Sequence, residues 1–251
     1  MTSSSLAGAG LLIIWGSISP TKVDEPAFND WWTNEHLPER LALPGFLRCR
    51  RFIDPATSPT AAPESKYLVW YEVDDPKALV SPQYMEKLDN PTPRTAQFMP
   101  LLATLQRCAC RVHASQVRPE FTPSGARGAV VGASIAHVVF TPPLDKDTCL
   151  DGLAVRLMEL FAHATVLAFH VVEQDEETTR AGSQTRSYAG VSPSFQRSGV
   201  KCMVLVEFSE SIVSPPGQRE AVKSMMVDWA AVAGSTDIEG TIYGLICAVG
   251  R

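Results

Sequence analysis

Apolar and polar positions along this chain change period repeatedly, and each change marks an element. Residues 10–19 (GLLIIWGSIS) form an almost unbroken apolar run of strand length. From Asp24 to Leu43 the apolar positions recur every three or four residues, the period of a helix with one buried face. FLRCRRFI (46–53) reads as a second strand, and DPATSPTAAPES (54–65) as a Pro/Ser/Thr-rich loop. A strand KYLVWYEV (66–73), a helix from Asp75 to about Leu88 and a strand LQRCACRVHA (105–114) complete the order β-α-β-β-α-β.

After the connection SQVRPEFTPSGARG the order is written again. The second set comprises AVVGASIAHVVF (strand), DKDTCLDGLAVRLMELFAHA (helix), VLAFHVVEQ and VKCMVLVEF (strands), PGQREAVKSMMVDWAAVA (helix) and TIYGLICAV (strand). A βαββαβ unit with right-handed crossovers makes a four-stranded antiparallel sheet with both helices on one face. Strands such as YLVWYEV and MVLVEF are apolar at nearly every position, so the other sheet face must be covered too. The expectation is an α+β fold of two ferredoxin-like repeats that close into an intramolecular α+β barrel of about eight strands. The first repeat is assigned to 1–115, a linker to 116–127 and a second, degenerate repeat to 128–251.

Composition removes several function classes. A content of 45% hydrophobic and 20% charged residues is that of an ordinary globular chain. The net charge of -5 comes with no basic block, so nucleic acid is not an expected partner. LAGAGLLIIWGSI is too short and too Gly-interrupted to span a bilayer and has no basic residue before it, so it is read as a strand. The expected location is cytoplasmic, with no membrane partner. The cysteines, including the CAC pair Cys108 and Cys110, fall mainly in apolar strands and are expected to be reduced core thiols. Motifs for nucleotide loops, HExxH zinc sites and GxSxG elbows are absent, and no metal is expected.

The densest chemistry lies in NDWWTNEHLPER (29–40). Asp24, Phe28, Trp32 and His36 are spaced by four, and the last three share one helix face. Pro38 cannot donate to the carbonyl of Asn34, so the helix is expected to kink or end there, exposing the His36 ring in its last turn with a pKa near neutrality. Two readings of His36 stand side by side, a ligand-facing acid–base group and a core histidine with a satisfied nitrogen. Asp30, Glu39 and Arg40 are read as a solvated face. His137 and His170 lie on strands of the second repeat, His113 at the end of the first repeat and His163 at a helix end. Tyr67, Trp70 and Tyr71 offer a hydroxyl and an aromatic wall, or core packing. On strand 46–53 Arg48 and Arg50 share a face and Arg51 takes the other, a placement that suits either an anionic substrate or a charge-protected edge strand.

DEPAFNDWWTNEHLPERLALPGFLRCRRF resembles the first helix and second strand of EthD-like proteins of the dimeric α+β barrel superfamily, in which an aromatic-Asn-Glu-His-Leu/Ile-Pro run precedes PGF and a basic strand. The close match spans roughly Ile14 to Phe52. The resemblance implies a histidine presented to a ligand cavity and a setting in specialised metabolism. It covers polyketide cyclases, decarboxylases, isomerases, cofactor-free monooxygenases and a haem-binding branch. Combined with the residues, the expected activity is cofactor-independent acid–base chemistry of the cyclase, decarboxylase, dehydratase or isomerase type on a hydrophobic aromatic or polyketide-like small molecule. The alternatives are a cofactor-free or haem-dependent monooxygenase and a non-catalytic small-molecule binder. Candidate catalytic residues are His36, Tyr71, His137 and His170; candidate substrate contacts are Phe28, Trp32, Asn34, Arg51 and Trp70. The second repeat has Met158, Glu159 and Leu160 near the position of His36, so it is read as a structural half, and further homodimerisation is left open. Its long segment 178–199, with Tyr188, Phe195 and three arginines, reads as a loop serving as a lid, a partner surface or a disordered stretch.

Overall fold

The computed structural model describes residues 5–54, 64–102, 104–121, 130–189, 191, 200–211 and 216–250. Residues 122–127 of the linker, most of the 54–65 loop, and Phe195 with its neighbours at 192–199 lie outside the described residues. The hydrogen-bonded strand order is β1-β3-β2-β8-β5-β7-β6-β4, closed into a barrel. Read around the closure, the order contains β4-β1-β3-β2 followed by β8-β5-β7-β6, the ferredoxin-like order twice. The fold is therefore α+β, two ferredoxin-like repeats forming an intramolecular dimeric α+β barrel.

The chain forms two compact units, and each draws on both repeats. The His36 unit comprises Gly8–Cys110, Asp175–Ser198 and Ile246–Arg251; the His170 unit comprises Met1–Ala7, Arg111–Gln174 and Gly199–Leu245.

In the His36 unit β3 (Ser65–Val73) lies antiparallel between β1 (Gly10–Ile18) and β2 (Phe46–Asp54). β2 is bonded on both sides in the strand order, so the arginines it carries do not guard an exposed edge. Side chains alternate along β3: Tyr67, Val69, Tyr71 and Val73 join the helix-covered core with Phe28, Trp31 and Trp32, whereas Trp70 and Glu72 occupy the opposite face.

The first helical segment begins at α1 (Glu25–Trp31), where the Asp24 carboxylate accepts from the Ala27 N–H at 3.0 Å. It does not stop at Pro38. Residues Trp32–His36 widen into a π-helical turn, closed by the Leu37 N–H on the Trp32 carbonyl, and α2 (Leu37–Leu41) continues beyond it. A proline in a regular α-helix would lose its bond to the carbonyl four residues back and press its ring against it; the wider turn accommodates both effects. The expected break is thus a bulge, and its consequence is opposite to the expected one. His36 remains inside a continuous helical path and is only 7% exposed.

The second helical region of this repeat is broken by prolines into a 3-10 turn Pro76–Val80, α3 (Pro82–Asp89), α4 (Pro93–Phe98) and a 3-10 turn Met99–Leu101, in place of the single helix expected from Asp75 to Leu88. β4 is Gln106–Val117.

In the His170 unit β7 (Cys202–Phe208) lies antiparallel between β5 (Ser134–Thr141) and β6 (Val166–Gln174), and β5 also pairs with β8 (Thr236–Gly250). α5 (Lys146–Leu157) and α7 (Pro216–Val232) supply Leu150, Leu153, Val222 and Met226 to its core. The segment read as a loop from 178 onward is helical at its start. α6 (Glu176–Ser183) is capped by the Asp175 side chain on the Thr178 N–H and is followed by a 3-10 turn Arg186–Tyr188.

Candidate active site

A small cavity in the His36 unit has polar walls from His36, Arg40, Tyr71, Tyr84, Ser187 and Tyr188, and apolar walls from Leu12, Ile14, Leu88 and Met99. Its volume of ≈ 10 Å³ is roughly the space of one water molecule.

Four elements deliver its polar groups, α3 among them with Tyr84. The helical path through the π turn supplies His36 and Arg40, four residues apart on one stripe. β3 supplies Tyr71 from its helix-covered face. The 3-10 turn Arg186–Tyr188 supplies Ser187 and Tyr188, and is pinned by the Ser187 hydroxyl donating to the Leu88 carbonyl at 2.7 Å.

The His36 ring is oriented by a hydroxyl network. Nδ1 lies 3.4 Å from Thr95 Oγ1, which also receives the Trp31 indole N–H at 3.3 Å and stands 3.0 Å from Thr92 Oγ1. Thr92 in turn lies 2.7 Å from the Glu35 carboxylate, which only accepts. The single Thr92 hydroxyl proton has two acceptors, the Glu35 carboxylate and Thr95 Oγ1. With that proton on Glu35, Nδ1–H donates to Thr95 and Nε2 keeps its lone pair; with it on Thr95, whose oxygen also receives the Trp31 N–H, the Thr95 hydroxyl donates to Nδ1 instead. Nε2 has no hydrogen-bond partner among the described residues. Burial, assisted by the nearby Arg40 charge, holds the His36 pKa well below 6.5, so the ring is neutral at physiological pH and a weaker base than a free imidazole, instead of titrating near neutrality.

Arg40 is 2% exposed, not part of a solvated face. Among the described residues its guanidinium donates no hydrogen bond, its nearest carboxylate is Glu39 at 3.9 Å, and its Cζ stands 5.9 Å from the Tyr84 ring centre. The Tyr71 O–H likewise donates no hydrogen bond among those residues; the Trp32 indole N–H approaches its oxygen without full hydrogen-bond geometry. Burial pushes its pKa well above 10, the Cys49 thiol adds to the rise, and Arg40 opposes it, so Tyr71 stays protonated. Behind the cavity Arg107 donates to the Thr179 carbonyl at 2.9 Å and the Tyr84 hydroxyl at 3.4 Å, with its Cζ 5.6 Å from the Tyr188 ring centre. Burial, with neighbouring Tyr84 adding to it, pushes Tyr188 up to about 12.

Of the candidate catalytic and substrate-contact residues, only His36 and Tyr71 line this cavity, joined by Tyr188 of the long segment and by Arg40. Phe28 and Trp32 form the aromatic core behind it, with ring centres 5.2 Å apart. Asn34 faces outward and donates to Asp30 at 2.9 Å. Arg51 spends its donors on the Thr33 hydroxyl and the Asn29 carbonyl while lying over the Trp32 and Tyr67 rings, both at 4.7 Å. Trp70 lies on the opposite sheet face from Tyr71, 4.2 Å beneath the Arg50 guanidinium. His137 and His170 belong to the other unit. Burial depresses His137 to about 3. Both His170 nitrogens are engaged, Nε2 with Glu207 at 2.9 Å and Nδ1 with Ser115 at 2.9 Å, which leaves no lone pair for an iron ligand.

Arg40 and Thr95 were missed. Arg40 is the next step of the Asp24-Phe28-Trp32-His36 series, and the spacing would have found it had Pro38 not been taken as the end of the stripe. Thr95 carries no signal in a single sequence. The larger depression of the His170 unit, about 380 Å³ between α5 and α7, has Asp145, Thr148 and Arg156 as its charged or hydroxyl lining and holds no histidine or tyrosine.

The fold places the chain among dimeric α+β barrels in single-chain form. Among solved structures it is similar to an anthrone oxidase-like protein, at 10% identity and a TM-score of 0.54 over 98% of this chain and 95% of that one. It is also similar to a monooxygenase candidate from Fusobacterium nucleatum subsp. nucleatum, at 8% identity and a TM-score of 0.55 over 98% and 96%. At these identities the similarity establishes shared architecture. No family model matches the sequence, and no curated protein matches it. Among the described residues no helix is long and apolar enough to cross a membrane.

Proposed function

We propose that the His36 cavity removes a proton from an acidic carbon or hydroxyl of a hydrophobic, aromatic or polyketide-like small molecule without a cofactor. The observation that carries this reading is one small cavity lined by a neutral histidine whose Nε2 has no hydrogen-bond partner among the described residues, a guanidinium that donates no hydrogen bond there and a protonated phenol that donates none. His36 Nε2 is the general base, Arg40 lies beside it to balance developing negative charge, and Tyr71 is a hydrogen-bond donor or proton return. The resemblance of residues 14–52 to EthD-like proteins supports the same histidine. Such a site suits cyclisation, decarboxylation, dehydration or isomerisation through an enolate or phenolate. Because the cavity holds about one water, a substrate must displace a wall, and the 3-10 turn bearing Ser187 and Tyr188 is one of the walls built from neither a strand nor the His36 helix, beside α3 and the turn at Met99.

A second reading is favoured by the two structural neighbours named as anthrone oxidase-like and as a monooxygenase candidate. Here the same deprotonation yields a carbanion that adds O₂ and then loses water, giving a quinone from an anthrone-type carbon. A hydroxyanthrone supplied with and without oxygen separates the readings: oxygen consumption with quinone formation supports the second, and anaerobic turnover of an enolisable substrate supports the first. Both readings require His36→Ala to lower turnover by about 10²- to 10⁴-fold with folding intact. Ligand affinity without turnover in either form would make the chain a binding protein.

A further inference from the structure

Arg40 is the least economical residue of the molecule unless something else completes it. Its guanidinium carries five donors, is almost wholly buried, and among the described residues donates to none. Buried arginines are normally paired and hydrogen-bonded, because an uncompensated buried charge costs several kcal/mol, about 3–5 when a partner is removed. Glu39, at 3.9 Å and on the adjacent backbone position, is within ion-pair range but too far for a hydrogen bond, and its Oε2 is itself buried without a partner. Contrast Arg48 and Arg50 of the same unit, which both close on Glu72 at 2.8–3.2 Å. The same chain thus pairs buried arginines well where they are structural. At Arg40 the missing partner faces a cavity that also contains a Tyr71 hydroxyl that donates no hydrogen bond among the described residues.

We infer that Arg40 and Tyr71 form an oxyanion subsite, and that the ligand of this cavity presents a carboxylate or an ionised phenol or enol oxygen to them. The inference rests on the cavity being the substrate site and adds the substrate's charge. The space of about one water matches a single oxygen head group whose hydrophobic body lies beyond it. A planar guanidinium donates two hydrogen bonds to such an oxygen, and the phenol donates a third. His36 Nε2 then lies on the same cavity wall as the charge it would create or transfer.

The test is thermal unfolding of the full chain at fixed ionic strength with benzoate or its neutral isostere benzamide, on wild type, Arg40→Met, Arg40→Gln and Arg40→Lys. A ligand that binds only the folded state raises Tm with concentration. Benzoate is expected to raise the wild-type Tm by about 3 °C or more at saturation, the scale of roughly 1 kcal/mol in a chain of this length, and benzamide to do much less. Arg40→Met and Arg40→Gln should erase the difference, and Arg40→Lys, with charge but no fork, should keep part of it. Without ligand, Arg40→Met should be as stable as wild type or more so, since it removes a buried charge that donates no hydrogen bond and whose ion pair with Glu39 spans 3.9 Å. Equal effects of benzoate and benzamide on wild type, no effect of either, or a benzoate preference that survives in both neutral variants would overturn the inference. A lower Tm for both neutral variants would make Arg40 a structural residue. These outcomes leave the His36→Ala turnover test untouched, so failure of the oxyanion subsite and failure of proton transfer are separable.

Discussion

Thr95 determines which nitrogen of His36 is available for chemistry. Its hydroxyl sits where the Trp31 indole, the Thr92 hydroxyl and His36 Nδ1 converge, so it is the contact that selects the tautomer, and the proposed base requires Nδ1–H. In wild type, ¹⁵N-detected histidine spectra should show neutral His36 protonated at Nδ1; Thr95→Val should yield a mixture of tautomers, and Thr95→Ser should restore the wild-type pattern. An Nε2–H ring in wild type would remove the proposed base. The same residue makes a pH prediction. His36 titrates near 6.5 in the unfolded chain and well below that when folded, so the unfolded state binds the extra proton. Stability is therefore complete above about pH 6.5 and falls as pH drops, by about 1.4 kcal/mol per pH unit for one such group. His137, held at about 3, contributes a parallel loss. In urea titrations His36→Gln should flatten the pH dependence between about pH 6 and 5 by one histidine's share. An unchanged slope would mean that the folded ring takes up the proton.

At the scale of elements, the site depends on a π turn and on a short turn contributed by the second repeat. The four-residue spacing of Phe28, Trp32 and His36 was legible in the sequence, and all three are buried on the inner side of the helical path, with Asp24 as its N-cap. The depth of His36 was not legible, because Pro38 reads as a terminator and nothing local announces that a widened turn will absorb it. Alternation along β3 should have separated Trp70 from Tyr71, since neighbouring strand residues point to opposite faces. The cavity wall at Ser187 and Tyr188 was legible only as length and aromatic content, because its position is set by contacts with Leu88 and Arg107 almost a hundred residues away. Gly182 holds that wall against Arg107: a Cβ there would lie 2.2 Å from Nη2 and 2.4 Å from Cζ of a fully buried guanidinium. Gly182→Ala should accordingly cost about 1–3 kcal/mol by overpacking, measured by urea unfolding. It should also move the Tyr188 ring signals in NMR spectra. A neutral substitution would mean that α6 can shift away from Arg107 without cost.

At the scale of the molecule, the repeat written in the sequence survives in the strand order and in a buried pair. Glu72 and Glu207 each precede the last residue of the third strand of their repeat, and Arg50 and His170 each occupy the fifth position of the second strand. Arg50 meets Glu72 at 2.9 Å and His170 meets Glu207 at 2.9 Å. His170, a candidate from sequence, therefore stands where the first repeat has a structural arginine, which favours a structural role. Glu72→Ala leaves two buried arginines without their acceptor and should destabilise by about 3–5 kcal/mol, read from denaturant midpoints. Element order and repeat were readable because they depend on period and length, whereas the pairing of Glu72 and Glu207 depends on register that no single sequence displays. What separates the units is chemistry: the NEHLP helix has no counterpart at Met158, Glu159 and Leu160, and among the described residues the neutral histidine beside an arginine that donates no hydrogen bond occurs in the His36 unit. The central claim is that this unit abstracts protons with His36. The most direct measurement is deuterium incorporation from D₂O into the acidic carbon of an enolisable aromatic ketone such as 2-tetralone, under nitrogen. Wild type should accelerate exchange and His36→Ala should lose about 10²-fold or more of that acceleration. Equal exchange rates for the two proteins would contradict it.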